Sequence, residues 1–306
     1  MNRNTGGHLV ALLTILVWGT TFVSIKMLLE AFSPTEILLF RFVLGYATLW
    51  LIYPKPLKLA HKRQEIYFIG AGLCGVMLYY FLENIALTYT FASNVGVIVS
   101  IGPFFTGIFA HFLLKGEKLS GNFLIGFLFA VAGIILIGFN GAALQLHPLG
   151  DLLAVLAAAV WAVYSILTKT ISGFRYNIIQ TTRRTFGYGL IFMLPAVFWS
   201  DFSLNLERFA ERDNLLNLLF LGFIASAMCF VTWSQSVKIL GVVRSSVYIY
   251  IVPVVTVITS AIVLRERITG LAMLGTALTL LGLFLSGSKI RFRVNRGGAA
   301  VEHPEM

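Results

Sequence analysis

Charged residues are scarce in this sequence. Of its 306 residues, 12% are Asp, Glu, Lys or Arg, about half of the roughly 25% found in ordinary soluble domains. So few charges cannot cover the surface of a soluble chain of this length, and a hydrophobic content of 58% is incompatible with intrinsic disorder. The composition therefore excludes a soluble enzyme, a coiled coil and a disordered chain.

Cysteine is scarce as well. The two cysteines, Cys74 and Cys229, both fall within apolar runs. We expect them to be buried as small apolar side chains, and they indicate neither a disulfide framework nor a cellular compartment.

Long apolar runs, in contrast, fill the chain. A helix that crosses a bilayer needs about 20 mostly apolar residues, and ten such runs follow one another. We therefore predict an all-α membrane protein with ten transmembrane helices. The predicted spans are His8–Leu29, Pro34–Tyr53, Ile66–Leu87, Asn94–Leu114, Gly121–Phe139, Leu149–Ile171, Asn177–Trp199, Leu215–Gln235, Val242–Leu264 and Thr269–Ser288.

The basic residues are distributed unevenly among these spans. If the N-terminus is cytoplasmic, 15 of the 23 Lys and Arg residues fall in cytoplasmic loops and tails and four in the outer loops. This bias predicts cytoplasmic N- and C-termini, and we expect the membrane to be the plasma (inner) membrane of a bacterium. The net charge of +10 then serves orientation and contact with the lipid bilayer, so no nucleic-acid partner is expected.

The chain also repeats itself. Each repeat holds five spans, an odd number, so the second repeat must enter the membrane inverted. We predict two inverted five-helix repeats, residues 1–140 and 141–288, followed by a basic cytoplasmic tail, 289–306. A shift of 143 residues matches Trp18 with Trp161, Lys26 with Lys169 and Arg41 with Arg184, and shifts of 149 and 150 match Glu117 with Glu266 and Pro103 with Pro253.

Short motifs occur in the same order in both repeats. The first repeat contains Trp18-Gly19, Gly102-Pro103-Phe104-Phe105-Thr106 and Gly116-Glu117-Lys118-Leu119, and the second contains Leu240-Gly241-Val242-Val243-Arg244-Ser245-Ser246, Val252-Pro253-Val254-Val255 and Arg265-Glu266-Arg267-Ile268. In this order they resemble the EamA type of the drug/metabolite transporter superfamily over residues 7–288. The chain departs from that pattern at Arg265-Glu266, where Gly-Glu is usual, and at Trp233-Ser234-Gln235-Ser236-Val237, where Trp-x-x-Ala-Leu is usual.

The resemblance implies a ten-helix basket with a central cavity. It also implies export or exchange of amino acids and other small metabolites. We therefore expect a secondary transporter, independent of ATP, that moves a small polar or zwitterionic metabolite by alternating access. Cationic amines or drugs are the alternative substrates, protons are a further candidate partner, and a monomer and a homodimer both stay open.

A channel or an intramembrane enzyme would be a different class of protein. The sequence contains no HExxH zinc site, no serine-hydrolase motif, no Asp-rich diphosphate motif and no P-loop. It also lacks a pore-loop signature. We therefore expect neither enzymatic activity nor a metal or other cofactor.

Polar and aromatic side chains near the middle of the spans are the candidates for the cavity. Glu83 stands at i+4 from Tyr79 and i+3 from Tyr80, so the three share one helix face. Glu83 could balance a substrate ammonium group or carry a proton, or it could form a structural pair with Lys26 or Arg41. The other candidate cavity residues are Trp18, Asn84, Ser100, Trp161, Tyr164, Arg184, Phe230, Trp233, Ser246 and Tyr250.

The assignment of the two tryptophans has an explicit alternative. Trp18 and Trp161 either stack on the substrate or simply pack in the core. Arg184, the repeat partner of Arg41 at a shift of 143, is the expected contact for a substrate carboxylate.

Pro103 and Pro253 fall in the middle of the fourth and ninth spans. Each removes a backbone donor and clashes with the carbonyl four residues before it, here Val99 and Ile249. The resulting kink is either a static packing feature or a hinge or gate in alternating access.

Overall fold

The computed structural model describes residues 3–114, 121–138, 148–199, 202, 207–265 and 269–287. These residues form ten long helices, whose ends lie within five residues of the predicted ones, and a short helix, Glu207–Ala210. The tail 289–306 and the motif at 116–119 lie outside the described residues. The long helices are α1 (Arg3–Leu28), α2 (Pro34–Ile52), α3 (Lys62–Tyr89), α4 (92–113), α5 (Gly121–Gly138), α6 (Pro148–Gly173), α7 (Ile178–Trp199), α8 (Arg212–Leu240), α9 (Val242–Val263) and α10 (Gly270–Gly287).

Most of these helices can cross a membrane by length and composition. Seven meet both criteria: α1, α2, α3, α4, α6, α8 and α9. Helices α5 and α10 are each 18 residues long and predominantly apolar, and α7 begins with a polar segment that contains Arg183 and Arg184. The chain is thus an all-α integral membrane protein, as predicted.

Equivalent helices of the two halves make reciprocal contacts. Helix α1 packs against α8 and α9, whereas α6 packs against α3 and α4. Helix α2 likewise packs against α8, and α7 packs against α3. Three pairs join equivalent helices of the two halves, α2 with α7, α4 with α9 and α5 with α10. This exchange is the pattern expected of two inverted repeats related by a two-fold axis.

Glycines bring α5 and α10 into close backbone contact. Gly126 lies against the backbone of Gly282, and Gly133 lies against that of Gly275 and Thr279. Small residues let membrane helices approach closely enough for extensive van der Waals contact. These glycines therefore join the two repeats within one chain.

Two helices contain a π-helical stretch at matching positions. It covers Leu73–Leu78 in α3 and Phe220–Met228 in α8. Gly72, directly before the first stretch, touches α7. Gly222, within the second stretch, touches α2. π-Helical segments widen a helix locally and frequently occur at functional sites.

Helices α4 and α9 are interrupted, but not as the sequence predicted. Helix α4 divides into Ala92–Val99 and Gly102–Leu113, and α9 contains a 3₁₀ segment, Val247–Ile251. Pro103 and Pro253 lie in the first turn of the helix that resumes after each break, where a missing N–H costs little. They begin new helical segments, so the prediction of a kink within a continuous helix is corrected. Whether they act as hinges stays a prediction.

Ser100 stabilises the break by bridging the two interrupted helices. Its hydroxyl donates to the carbonyl of Gly96 at 2.7 Å and, more weakly, to that of Ile249 at 3.4 Å. The side chain expected to face the cavity therefore ties α4 to α9.

Candidate substrate-binding site

An aromatic cluster fills the centre of the molecule, where helices of both repeats meet. The ring of Trp18 lies 5.1 Å from that of Trp161 and 5.4 Å from that of Trp233. Tyr79 lies 4.8 Å from Trp161, and the matching π-helical stretches directly precede Tyr79 and Cys229. The central aromatic cluster, as we call it, comprises Trp18, Phe42, Tyr79, Tyr80, Trp161, Tyr164, Phe186, Phe230 and Trp233.

One acidic side chain belongs to this site. Glu83 is 1% exposed and hydrogen-bonds Tyr79 through one carboxyl oxygen. Its Oε2 atom is buried and has no hydrogen-bond partner among the described residues. A buried carboxyl oxygen without a partner carries a desolvation cost, so it is suited to meeting a polar group that enters the site.

One basic side chain belongs to the same site. Arg41 is completely buried, and its Nε donates to the Ser226 hydroxyl at 3.1 Å. Its guanidinium carbon lies 4.1 Å from the centre of the Tyr80 ring, a favourable position for a cation. The two terminal nitrogens have no hydrogen-bond partner in the described part of the chain. No direct ion pair joins Arg41 to Glu83 there, so both charges keep bonding capacity for a ligand.

Further unpaired donors lie in the cluster. The indole nitrogens of Trp161 and Trp233 are buried without an acceptor among the described residues, whereas that of Trp18 donates to the Ala225 carbonyl at 2.9 Å. Such a concentration of unpaired buried polar atoms is unusual, because native proteins pair most of them. A polar ligand or water at this position would pair them.

The cavity beside these groups is small in this conformation. Its volume is about 30 Å³, and Trp18, Tyr79, Tyr80, Glu83 and Trp161 line it together with apolar residues of α4 and α9. This volume accommodates water but not an amino acid. The structure is therefore contracted around the candidate site.

A cleft continues from the cluster toward the N-terminal face, the face on which α1 begins. Hydroxyl groups line it, among them those of Thr168, Thr182 and Ser234, and it ends beside Lys238. The hydroxyl of Tyr164 hydrogen-bonds Thr168 and Ser234. The central aromatic cluster thus has polar surroundings on the N-terminal face and the acidic Glu83 on its other side.

The structure places Arg184 outside the central aromatic cluster. It forms an ion pair with Glu65, with 2.5 Å between Nη2 and Oε2, and donates to the Leu57 carbonyl at 3.0 Å. Gly72 contacts the Thr185 carbonyl just as Gly222 contacts the Arg41 carbonyl. The counterpart of Arg41 is therefore Thr185, and the shift is 144 rather than 143 here. Because of this one-residue error in register, the sequence predicted a cavity position for Arg184, whereas the arginine that lies in the cluster is Arg41.

Three other candidates have local roles. The Asn84 amide donates to the Pro34 carbonyl at 3.0 Å and joins α3 to the start of α2. The Ser246 hydroxyl donates to the Val243 carbonyl of its own helix at 2.8 Å. Tyr250 packs with Phe123 of α5 rather than with the cluster.

Lys26 binds the end of α3. Its ammonium group donates to the carbonyls of Leu87 at 2.7 Å and Thr90 at 3.1 Å. These carbonyls belong to the last turn of α3 and the residue after it, where a cation also complements the helix dipole. Lys26 thus stabilises the end of the helix that carries Glu83.

Sequence reasoning missed Phe42, Phe186 and Ser226. The rings of Phe42 and Phe186 lie 5.0 Å apart, and both contact Phe230. A shift of 144 residues would have identified the first two, because it matches Phe42 with Phe186 and Gly45 with Gly189. No sequence pattern marked Ser226 as the partner of Arg41.

Relatives of this chain are described as transporters. A relative from Archaeoglobus fulgidus, named "Uncharacterized transporter", is 29% identical over 299 residues, which cover 94% of this chain and 99% of the relative. A relative from Escherichia coli K12, named "Probable amino-acid metabolite efflux pump", is 27% identical over 311 residues and covers 96% of this chain and 98% of its own.

A solved crystal structure has the same fold. It matches with a TM-score of 0.75 over 92% of this chain and 96% of its own, at 21% sequence identity. The sequence profile of the EamA-like transporter family matches twice, at residues 5–139 and 148–288. These two matches cover nearly the whole chain and follow its internal repeat. The chain therefore belongs to the EamA-like transporter family and is a membrane transporter rather than an enzyme.

Proposed function

We propose that this protein is a secondary transporter for a small zwitterionic metabolite, an amino acid or a related compound. The substrate binds in the central aromatic cluster and crosses the membrane by alternating access. In our proposal the protein lies in the inner membrane of a bacterium with both termini in the cytoplasm, and it exports or exchanges its substrate.

The observation that carries this proposal is the unpaired state of two opposite charges in one buried site. Glu83 offers a carboxyl oxygen and Arg41 offers two terminal nitrogens, all without partners among the described residues. A substrate that carries an ammonium and a carboxylate group would satisfy both. The name of the Escherichia coli relative, a probable amino-acid metabolite efflux pump, supports the same class of substrate.

Each group of such a substrate has an assigned partner in our proposal. The ammonium group meets Glu83 and the π faces of Trp18 and Trp161, which attract cations. The carboxylate meets Arg41, whose planar guanidinium can form two parallel hydrogen bonds with it. The indole N–H groups of Trp161 and Trp233 provide further donors.

Alternating access requires the contracted site to open on one face at a time. The cavity of about 30 Å³ lies beside Glu83, and the hydroxyl-lined cleft reaches Tyr164 of the central aromatic cluster from the N-terminal face. The break in α4 and the 3₁₀ segment of α9 lie along this site and are suited to bending. We propose that they are the hinges, with Pro103 and Pro253 starting the segments that move.

A cationic amine is the second candidate substrate. It is favoured by the aromatic rings of Tyr79 and Trp161 beside Glu83, which would bind an ammonium group without help from Arg41. Under this alternative the positive charge of Arg41 would weaken binding rather than strengthen it.

Thermal unfolding of the purified protein distinguishes these substrates. We would add an amino acid, the amine that lacks its carboxylate and the acid that lacks its ammonium group, each at the same concentration. Our proposal predicts that the amino acid raises the unfolding temperature most across a panel of side chains, because a ligand stabilises the state it binds. Stabilisation by the amine alone would favour the alternative, and stabilisation by none of the three classes would contradict both.

A further inference from the structure

A second cavity lies at the N-terminal face, apart from the central aromatic cluster. Its volume is about 530 Å³, which falls in the range of ligand-binding pockets. It is formed by the end of α2, the segment that follows it and the first half of α7, so both repeats contribute. Neither the proposed substrate site nor its cleft includes this cavity.

Two arginines form the polar end of this cavity. Arg183 donates to the Tyr53 carbonyl at 2.5 Å and to the Lys55 carbonyl at 2.6 Å. Arg184 donates to Glu65 through two nitrogens and to the Leu57 carbonyl through a third. A guanidinium group has five N–H donors, so Arg183 uses two and Arg184 three of them in these bonds.

The charge around the polar end is positive. Exposed Lys55 and Lys58 lie on the segment that closes the cavity, beside Arg183 and Arg184. The acidic group bonded at this end is Glu65, which also accepts from the Tyr188 hydroxyl at 2.5 Å. This end of the cavity thus has four basic side chains nearby and one carboxylate, that of Glu65.

The other end of the cavity is apolar. Leu190 and Ile191 line it, about two turns of α7 beyond the arginines. Ile191 is 58% exposed, so the cavity is continuous with the apolar outer surface of the helices. Trp50 and Leu51, at the end of α2, are exposed on that surface as well, and a tryptophan at a helix end is typical of the headgroup level of a bilayer.

We propose that this cavity binds an anionic phospholipid, with the headgroup at Arg183 and Arg184 and an acyl chain along Leu190 and Ile191. A basic pocket between membrane helices attracts anionic headgroups, whereas the apolar wall suits a chain rather than a soluble anion. The lipid would contact α2 of the first repeat and α7 of the second. It would therefore hold the two repeats together at the N-terminal face.

Native mass spectrometry tests this proposal directly. The full-length protein is purified in detergent, depleted of lipid and mixed with equal amounts of phosphatidylglycerol and phosphatidylcholine that carry the same acyl chains. We expect preferential retention of phosphatidylglycerol, by about fivefold for each basic side chain that the headgroup contacts. Equal retention of the two lipids would overturn the proposal.

Two variants locate the bound lipid. In Gly187→Leu the added Cβ would lie 3.5 Å from the Tyr46 ring, an ordinary contact, and the rest of the side chain would fill the cavity. We expect this variant to lose the preference for phosphatidylglycerol. The control is Gly173→Leu, on the same face with no neighbouring atom within 4 Å, and it should keep the preference. Unchanged lipid selectivity in Gly187→Leu would contradict the assignment.

A charge variant keeps the test decisive if Gly187→Leu does not fold. Lys55 and Lys58 are exposed, so their joint replacement by glutamine leaves the packing intact. The preference for phosphatidylglycerol should fall about fivefold or more. An unaltered preference would place the bound lipid elsewhere on the protein.

Discussion

At the scale of the residue, the candidate site depends on Glu83 and Arg41. Both are buried, both lie beside the tyrosine pair 79 and 80, and neither saturates its hydrogen bonds within the described residues. A protein that only needed a stable core would place apolar side chains there, since buried charges add little stability. Their presence is most simply explained by a polar ligand.

Replacement of Glu83 by glutamine tests the acidic side of the site. The amide keeps the size of the side chain and removes its negative charge. We expect transport to fall about tenfold or more, because a hydrogen bond to a charged group contributes roughly 1.5–3 kcal/mol. Uptake into liposomes at several pH values measures the effect. A wild-type rate with wild-type pH dependence would contradict a role for Glu83, and Glu30→Gln, an exposed acidic position, is the matched control.

Replacement of arginines distinguishes the two candidates for carboxylate binding. Arg41→Gln should abolish the stabilisation of the protein by amino acids, because the carboxylate loses its charged partner. Arg184→Gln should leave ligand binding intact and lower stability only slightly, since its ion pair with Glu65 is partly exposed and such pairs contribute about 1 kcal/mol or less. Ligand-dependent thermal unfolding measures both variants. If Arg184→Gln abolished the stabilisation by amino acids and Arg41→Gln did not, Arg184 would be the partner of the substrate carboxylate.

Residue types near the middle of the spans identified most of the aromatic cluster. Trp18, Tyr79, Tyr80, Trp161 and Trp233 were chosen from the sequence, and the structure brings them together. Arg184 was misplaced because a helix turns about 100° per residue, so a register error of one selects a different face. The function of these aromatic residues in substrate binding stays a prediction.

At the scale of the element, the helices of the site are irregular at matched places. The π-helical stretches, the break in α4 and the 3₁₀ segment of α9 recur in both repeats. The prolines pointed to these places, but sequence periodicity does not distinguish a kink from a helix that stops and restarts. That distinction depends on tertiary contacts such as the bond from Ser100 to Ile249.

The contact between α5 and α10 provides a prediction about stability. Gly133→Ala would drive a methyl group into the backbone of Gly275 and Thr279. We expect a loss of about 1–3 kcal/mol, the usual cost of overpacking, and therefore a lower unfolding temperature. Gly121→Ala is the control because its surroundings are open to 4 Å. If both variants unfolded like the wild type, the close packing of α5 on α10 would be refuted.

At the scale of the whole molecule, composition and repetition determined the architecture. Apolar runs located the spans, and the odd number of spans per repeat required inversion; the exchanged helix contacts agree with a two-fold relation between the repeats. The repeat boundaries at residues 140 and 288 lie outside the described residues and stay predictions. The contracted cavity could not be predicted, since the sequence does not encode one conformation of a transporter.

The orientation of the molecule is a separate prediction from the distribution of basic residues. We expect Lys58→Cys, on the N-terminal face, to react with a membrane-impermeant maleimide only after cells are opened. Arg212→Cys, at the start of α8 on the opposite face, should react in intact cells. The native Cys74 and Cys229 are partly or fully buried, and the unsubstituted protein corrects for their reaction. The reverse labelling pattern would contradict cytoplasmic termini.

Counterflow in liposomes tests the central claim most directly, namely that two inverted repeats carry a zwitterion by alternating access. Purified protein is reconstituted, the vesicles are loaded with an unlabelled amino acid that stabilises the protein, and entry of the labelled compound is followed. We predict that internal substrate accelerates entry severalfold and that Glu83→Gln and Arg41→Gln lose the acceleration. Entry that is fast but indifferent to internal substrate would indicate a channel and contradict the proposed mechanism.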